Sequence, residues 1–299
     1  VRPKTAKAGL PIRFQVWGAR GSRNAIGSSI GNRTSCYSLL VGEDLFVFDA
    51  GSGLVALSHA ALRDPEFSAV KRVHLLITHS HIDHWDGVKD AEWLWSKGCG
   101  VELNIYAPKE ALDAISATMQ PPIFVPLHIL AIGTVDSLHY VELQAKDHRK
   151  LPKASLEVLE LYHYSGLADN KRFLDTYGYR LTVKNGPAVL YMCDHEPVPE
   201  TRAMEDAAME GANLAIVDAS YCHVTQHAFG HGSIESAANV AKRYPETLVL
   251  AGHHGAMQED ELIEGAMGTH GRTVANFALA HETMALDWDA RAGQFRPRP

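Results

Sequence analysis

Residues 73–87 read V-H-L-L-I-T-H-S-H-I-D-H-W-D-G, an apolar run that runs straight into His79, His81, Asp83 and His84. The β-branched and leucine-rich segment Val73–Thr78 has the composition of a fully buried strand. In the extended chain that leaves it, alternate side chains point the same way, so His79 and His81 can grip one ion. A turn into a helix then brings Asp83 and His84 round to a second. Imidazole and carboxylate without thiolate suit zinc, with manganese or iron as alternatives, and such a set leaves coordination positions open to water. A solvated His-rich loop is the bland alternative. Ligand types packed this densely behind an apolar strand argue for a site.

At 299 residues, 46% hydrophobic and 21% charged, the chain has ample material for a core, in one large domain or two. Its net charge of −7 argues against an extended nucleic-acid surface, because phosphate binding by counterion release needs a basic patch. Cys36, Cys99, Cys193 and Cys222 are scattered with no C-x-x-C pair, which fits structural thiols in a reduced, cytoplasmic setting. No run is long and apolar enough for a membrane span, and the opening V-R-P-K-T-A-K-A-G-L-P lacks an apolar signal core.

Strands are expected at 12–17, 36–41 and 45–49, with Gly42-Glu43-Asp44 turning between the last two. The Gly-rich segment 18–35 reads first as a surface loop, although its glycines allow backbone amides and Arg20 to approach an anion. Asp49 closes a strand where it can orient a ligand or cap a turn. Val88, Ala91, Leu94 and Trp95 form a helical stripe, 101–106 is a strand, and Leu112, Ile115 and Met119 mark another helix. Residues 121–155 read as strand and solvated loop, with a basic knot at Lys146–Lys153 that suits a lid less well. Further strands are expected at 156–162, 179–183, 188–192, 214–217 and 248–250, with helices near 200–210, from Ser233 and from Asp260. Two sheets packed face to face and flanked by helices, a four-layer αββα sandwich in the α/β class, satisfy this order. One domain of two similar halves, about 12–120 and 155–299, is the expected organisation.

A pair of ions needs more ligands than the 79–84 cluster offers. His163, Asp194 and His253 each follow a separate strand of the second half, where strand ends gather ligands.

This pattern resembles the H-x-H-x-D-H signature of the metallo-β-lactamase superfamily, most closely its phosphodiesterase, ribonuclease Z-like branch. The similarity runs in order over residues 12–260. It includes G-A-R-G-S at 18–22, G-N-R-T-S-C at 31–36, His163 ahead of Tyr177-Gly178-Tyr179-Arg180, and Gly230-His231-Gly232-Ser233 opening a helix. The resemblance implies the metallo-β-lactamase fold and two divalent ions, zinc by donor type with manganese or iron as alternatives. His79, His81 and His163 would hold one, Asp83, His84 and His253 the other, and Asp194 would span them. The doublet His253-His254 leaves either as the last ligand, with His253 preferred.

The resemblance also implies a hydrolase in which Asp83 orients the attacking water and His231 protonates a poor alkoxide leaving group. Asp218 and Asp49 would orient ligands or His231 from behind, and Arg20, Ser22 and Asn32 would touch substrate. His223 and His227 lie near enough in sequence to line the pocket, while His74, His128, His139, His148, His270 and His281 read as surface or core residues. A phosphodiester, either a cyclic nucleotide, a small diester or a nucleic-acid end, is the leading substrate class. An acyl hydrolase of lactonase or thioesterase type and a non-catalytic metal-binding or sensor module are the alternatives, and a homodimer stays open.

Overall fold

The computed structural model describes residues 11–166 and 173–298. Residues 1–10, most of the segment read above for a signal core, lie outside the described residues, as do residues 167–172 between His163 and Tyr177.

One sheet has eight strands in the edge-to-edge order Gln294–Pro297, Ala285–Asp289, Ile12–Gly18, Cys36–Val41, Asp44–Phe48, Arg72–Leu76, Glu102–Ala107 and Ser137–Glu142. The other has seven: Phe277–Leu279, Leu248–Gly252, Leu214–Asp218, Ala188–Met192, Tyr177–Val183, Ala154–Glu160 and His148–Lys150. Each sheet is mixed. Its parallel portion, from Asp44–Phe48 to Ser137–Glu142 in the first and from Ala188–Met192 to Phe277–Leu279 in the second, requires crossovers. Helices Gly53–Ala61 and Lys109–Thr118 serve the first sheet, and Arg202–Met209, Ile234–Arg243 and Asp260–Ala266 the second.

Cys36–Val41 and Asp44–Phe48 are buried at every position because both faces of the sheet are covered. Between the sheets, Phe14, Tyr37, Phe46 and Phe48 pack with Val158, Tyr179, Tyr191 and Ile216. On the outer faces, Leu54, Leu57 and Ile115 cover the first sheet while Ala237, Ala241 and Ile263 cover the second. The result is the αββα sandwich that the order of elements implied.

Three features differ from the sequence reading. The hairpin Ala285–Asp289 and Gln294–Pro297, absent from the expected strands, joins the first sheet and pairs Leu286 with Phe14. Residues 121–155 supply the helical turn Leu127–Leu130 and one edge strand to each sheet. The basic knot sits on that edge, where polar side chains suit a strand with one unpaired flank. Behind the His motif, the expected helix is two 3₁₀ turns, Ile82–His84 and Asp86–Asp90, then the short helix Glu92–Trp95.

A buried charge anchors the strand that carries the motif. Asp44 accepts hydrogen bonds from Arg72 Nε at 2.6 Å and Nη2 at 2.8 Å, and His74 Nε2 lies 3.2 Å away. His74 is therefore a core residue, stacked on Phe46. Burial favours the neutral acid, but the bonds from Arg72 and His74 outweigh it and hold the Asp44 carboxyl down at about 2. The stabilisation is complete above the unfolded value near 3.8 and is lost as pH falls through about 2. Asp44→Asn should lower unfolding stability at pH 7 by about 2 kcal/mol in urea denaturation. The gap to wild type should narrow between pH ~4 and ~2, and a gap independent of pH would contradict this assignment.

Candidate metal centre

The ligand-type side chains stand just past strand ends that point the same way. Asp49 follows Asp44–Phe48, His79 follows Arg72–Leu76, His163 follows Ala154–Glu160, Asp194 follows Ala188–Met192, and His253 follows Leu248–Gly252. Open α/β sheets gather ligands at this end because the strands stop and the loops diverge there. The structure thus brings together residues separated by up to 204 positions along the chain, from Asp49 to His253.

Asp194 sits at the middle of the cluster, 1% exposed. Its Oδ2 lies 3.4 Å from His163 Nε2 and 3.8 Å from His79 Nε2. Its Oδ1 lies 3.2 Å from His84 Nε2 and 2.8 Å from His253 Nε2. His81 enters through Nδ1, 3.4 Å from His163 Nε2. Asp83 Oδ2 is 3.2 Å from His84 Nε2 and 3.7 Å from His253 Nε2. Donor atoms of His79, His81, His163 and Asp194 all lie within 4.8 Å of one another, and so do those of Asp83, His84 and His253.

Two observations show that this set fits a metal. His79 Nε2, His84 Nε2, His253 Nε2 and Asp194 Oδ1 are buried atoms with no hydrogen-bond partner, the 2.8 Å approach of the last two being outside hydrogen-bond geometry. Leaving such atoms unmatched is costly unless something else meets them. Further, among the described residues Asp83 and Asp194 have only imidazoles as ion-pair partners. Burial pushes His79 down, and pushes His163 down to about 4. Burial also opposes charge on His253, yet the Asp194 carboxylate overrides it and lifts His253 to about 10. The carboxylates therefore draw protons onto His253 and His84, the positions where a cation would supply the same charge.

Comparison with known proteins identifies the family and the fold. A family profile described as "Beta-lactamase superfamily domain" matches residues 45–254. The chain belongs to the metallo-β-lactamase superfamily. Among solved structures it is similar to the metallo-β-lactamase fold protein YhfI from Bacillus subtilis, at 18% identity and a TM-score of 0.64, covering 93% of this chain and 99% of that one. A diphosphatase of the PhnP family gives 18% identity and a TM-score of 0.65 over 93% of this chain and 97% of that one. The short form of human tRNase Z gives 17% and 0.59, over 91% and 98% respectively. These likenesses are of fold. No curated protein matches the sequence.

In this superfamily member a second layer aims the imidazoles of His79, His84, His163 and His253. His84 Nδ1 is 2.7 Å from Asp49 Oδ2, and Asp49 also accepts from Thr78 N, Thr78 Oγ1 and the Tyr191 hydroxyl. Thr78 Oγ1 is 3.0 Å from His79 Nδ1, the Gly230 carbonyl 3.2 Å from His163 Nδ1, and Ser220 Oγ 2.9 Å from His253 Nδ1. With Nδ1 committed, Nε2 is left for the centre. His254 turns away to the Ala280 carbonyl, so of the doublet only His253 faces Asp194. Gly21 lies under the His253 ring, where a Cβ would stand 2.4 Å from it, which gives the G-A-R-G-S segment a packing reason.

His231 lies beside the cluster, its ring 4.7 Å from that of His163 and 5.2 Å from that of His253. Its Nδ1 is 2.8 Å from Asp218 Oδ2, and Asp218 also accepts from the amides of Ser220 and His195. Burial opposes protonation of His231, but Asp218 outweighs it and raises the imidazole.

The three residues of the Gly-rich loop expected to touch substrate all make contacts within the protein. Arg20 is 1% exposed, with Nε donating to the Gly31 carbonyl, Nη1 to Gln258 O, and Nη2 to Asp260 at 2.7 Å and to Ser28. Its charge is paired inside the protein with Asp260. Ser22 contributes its backbone amide, which donates to Asp83 Oδ2 at 2.8 Å, and Asn32 braces the loop by accepting from Ser28 N. His223 Nδ1 is 2.8 Å from His270 Nε2, and His227 Nε2 is 2.9 Å from Ser233 Oγ. Thr78, Tyr191, Ser220 and His195, whose Nε2 is 2.9 Å from Glu205, were not legible as site residues because each reads as ordinary core or turn.

Asp49 adopts φ 55°, a conformation asparagine also tolerates, so Asp49→Asn preserves the backbone while removing the charge behind His84. Its affinity for divalent metal, measured by chelator competition, should fall roughly 10- to 100-fold. Unchanged affinity would contradict the orienting role.

Proposed function

We propose that the chain is a metal-dependent phosphodiesterase working with two divalent ions, zinc by donor set. His79, His81 and His163 hold one, Asp83, His84 and His253 the other, and Asp194 spans the pair. The observation that carries this reading is the division of Asp194, whose two oxygens face two separate sets of imidazoles. When bound, such ions supply Lewis acidity, lowering the pKa of water and offsetting charge on the electrophile.

The protein's own residues account for the rest. Asp83 is fixed by the Ser22 amide and accepts a hydrogen bond from the attacking water, setting its direction. A phosphodiester expels an alkoxide, which must gain a proton as it leaves. His231 meets that need, since Asp218 holds its Nδ1 and favours its protonated form, leaving Nε2 to deliver the proton. The acidic net charge favours a cyclic nucleotide or other small diester over a long nucleic acid. The similar structures include a diphosphatase and a tRNase Z, in keeping with phosphorus-centred chemistry.

The test compares leaving groups. His231→Ala should slow cleavage of a diester of an unactivated alcohol by roughly 10²- to 10⁴-fold, while a nitrophenyl diester, which needs no acid, is cleaved at nearly the wild-type rate. Equal loss on both would remove His231 from the acid role. Intact diesters alongside opened lactones would replace the phosphodiesterase reading with an acyl hydrolase.

A further inference from the structure

A second group of metal-ligating side chains lies outside this centre. His223 Nδ1 and His270 Nε2 are 2.8 Å apart, and with a carboxylate oxygen of Glu235 their donor atoms all lie within 4.8 Å of one another. All three residues are half-buried. They come from different places: the loop after Leu214–Asp218, the first turn of helix Ile234–Arg243, and the π-helical turn Met267–Gly271. π-turns cost regular hydrogen bonding and recur at functional positions. Here the widened turn is the one that carries His270.

We propose that His223, Glu235 and His270 form a separate site for a zinc-class divalent ion, with water completing its coordination. Two imidazoles and one carboxylate are a standard zinc donor set. Tetrahedral donors at about 2 Å from zinc stand roughly 3.3 Å apart, so the trio needs only small side-chain adjustments to close on an ion. The turn around His223 is already built without one. Gln226 Oε1 accepts from the Cys222 and His223 amides at 3.0 Å, and Glu235 Oε2 accepts from the Val224 amide at 2.9 Å.

An ion here does structural work. The same loop continues to Gly230, whose carbonyl holds His163 Nδ1, and to His231. Fastening His223 to two helical segments therefore fixes one end of the loop that shapes the main centre. The site itself rests only on the three donors and not on the phosphodiesterase reading.

The experiment counts metal. Full-length protein stripped by chelator is titrated with zinc alone, and tightly bound zinc is measured by mass spectrometry for wild type, His270→Gln, Glu235→Gln and Asp194→Asn. Glutamine at 235 keeps an oxygen for the Val224 amide, so folding is preserved, and circular dichroism checks this. His270→Gln and Glu235→Gln should each bind one equivalent less than wild type. Adding His270→Gln to Asp194→Asn should remove a further equivalent, separating this site from the main centre. Equal zinc content in wild type and both single variants overturns the proposal and leaves a hydrogen-bonded histidine pair. Loss in His270→Gln with full retention in Glu235→Gln overturns the three-ligand assignment.

Discussion

A carboxylate buried among imidazoles is the constraint to which the rest of this fold answers. Asp194 is 1% exposed and has no Lys or Arg ion-pair partner among the described residues. Taking such a charge out of water costs several kcal/mol unless it is neutralised. The surrounding histidines can do so only by taking protons against the cost of their own burial, which the opposing influences on His253 make plain. Divalent ions at this centre would resolve the conflict without protons.

Holding that arrangement takes backbone strain as well as charge. Asp49, Asp194 and His253 have φ of 55°, 56° and 54°, a left-handed conformation that non-glycine residues seldom adopt. Each such residue costs on the order of 1 kcal/mol, and it persists only where packing over-determines it. The sheets provide the packing. Tyr191 reaches from the inter-sheet core to Asp49, and Tyr179 donates from the same core to the Ile77 carbonyl beside the His motif. The hydrophobic layer between the sheets and the polar centre at their ends are thus one mechanical unit.

This explains what the sequence could and could not reveal. The apolar run before His79 and the strands before Asp194 and His253 are legible because a fully covered strand must be apolar throughout. Ligands placed just past such runs stand out. The edge strands at Ser137–Glu142, His148–Lys150 and Gln294–Pro297 are not, since an edge tolerates polar residues and carries no clear period. Arg20 is a related case: in a glycine-rich loop its partner cannot be read from the sequence, because Asp260, which takes its charge, lies 240 positions away. Ser220 and Thr78 carried no signal, because aiming an imidazole requires only a hydroxyl in the right place.

Anomalous diffraction from crystals of the protein grown with zinc or manganese tests the central claim most directly. Two peaks should appear at the sheet ends, one beside each oxygen of Asp194, the first among His79, His81 and His163 and the second among Asp83, His84 and His253. A single peak, or density that leaves Asp194 uncoordinated, would contradict the account.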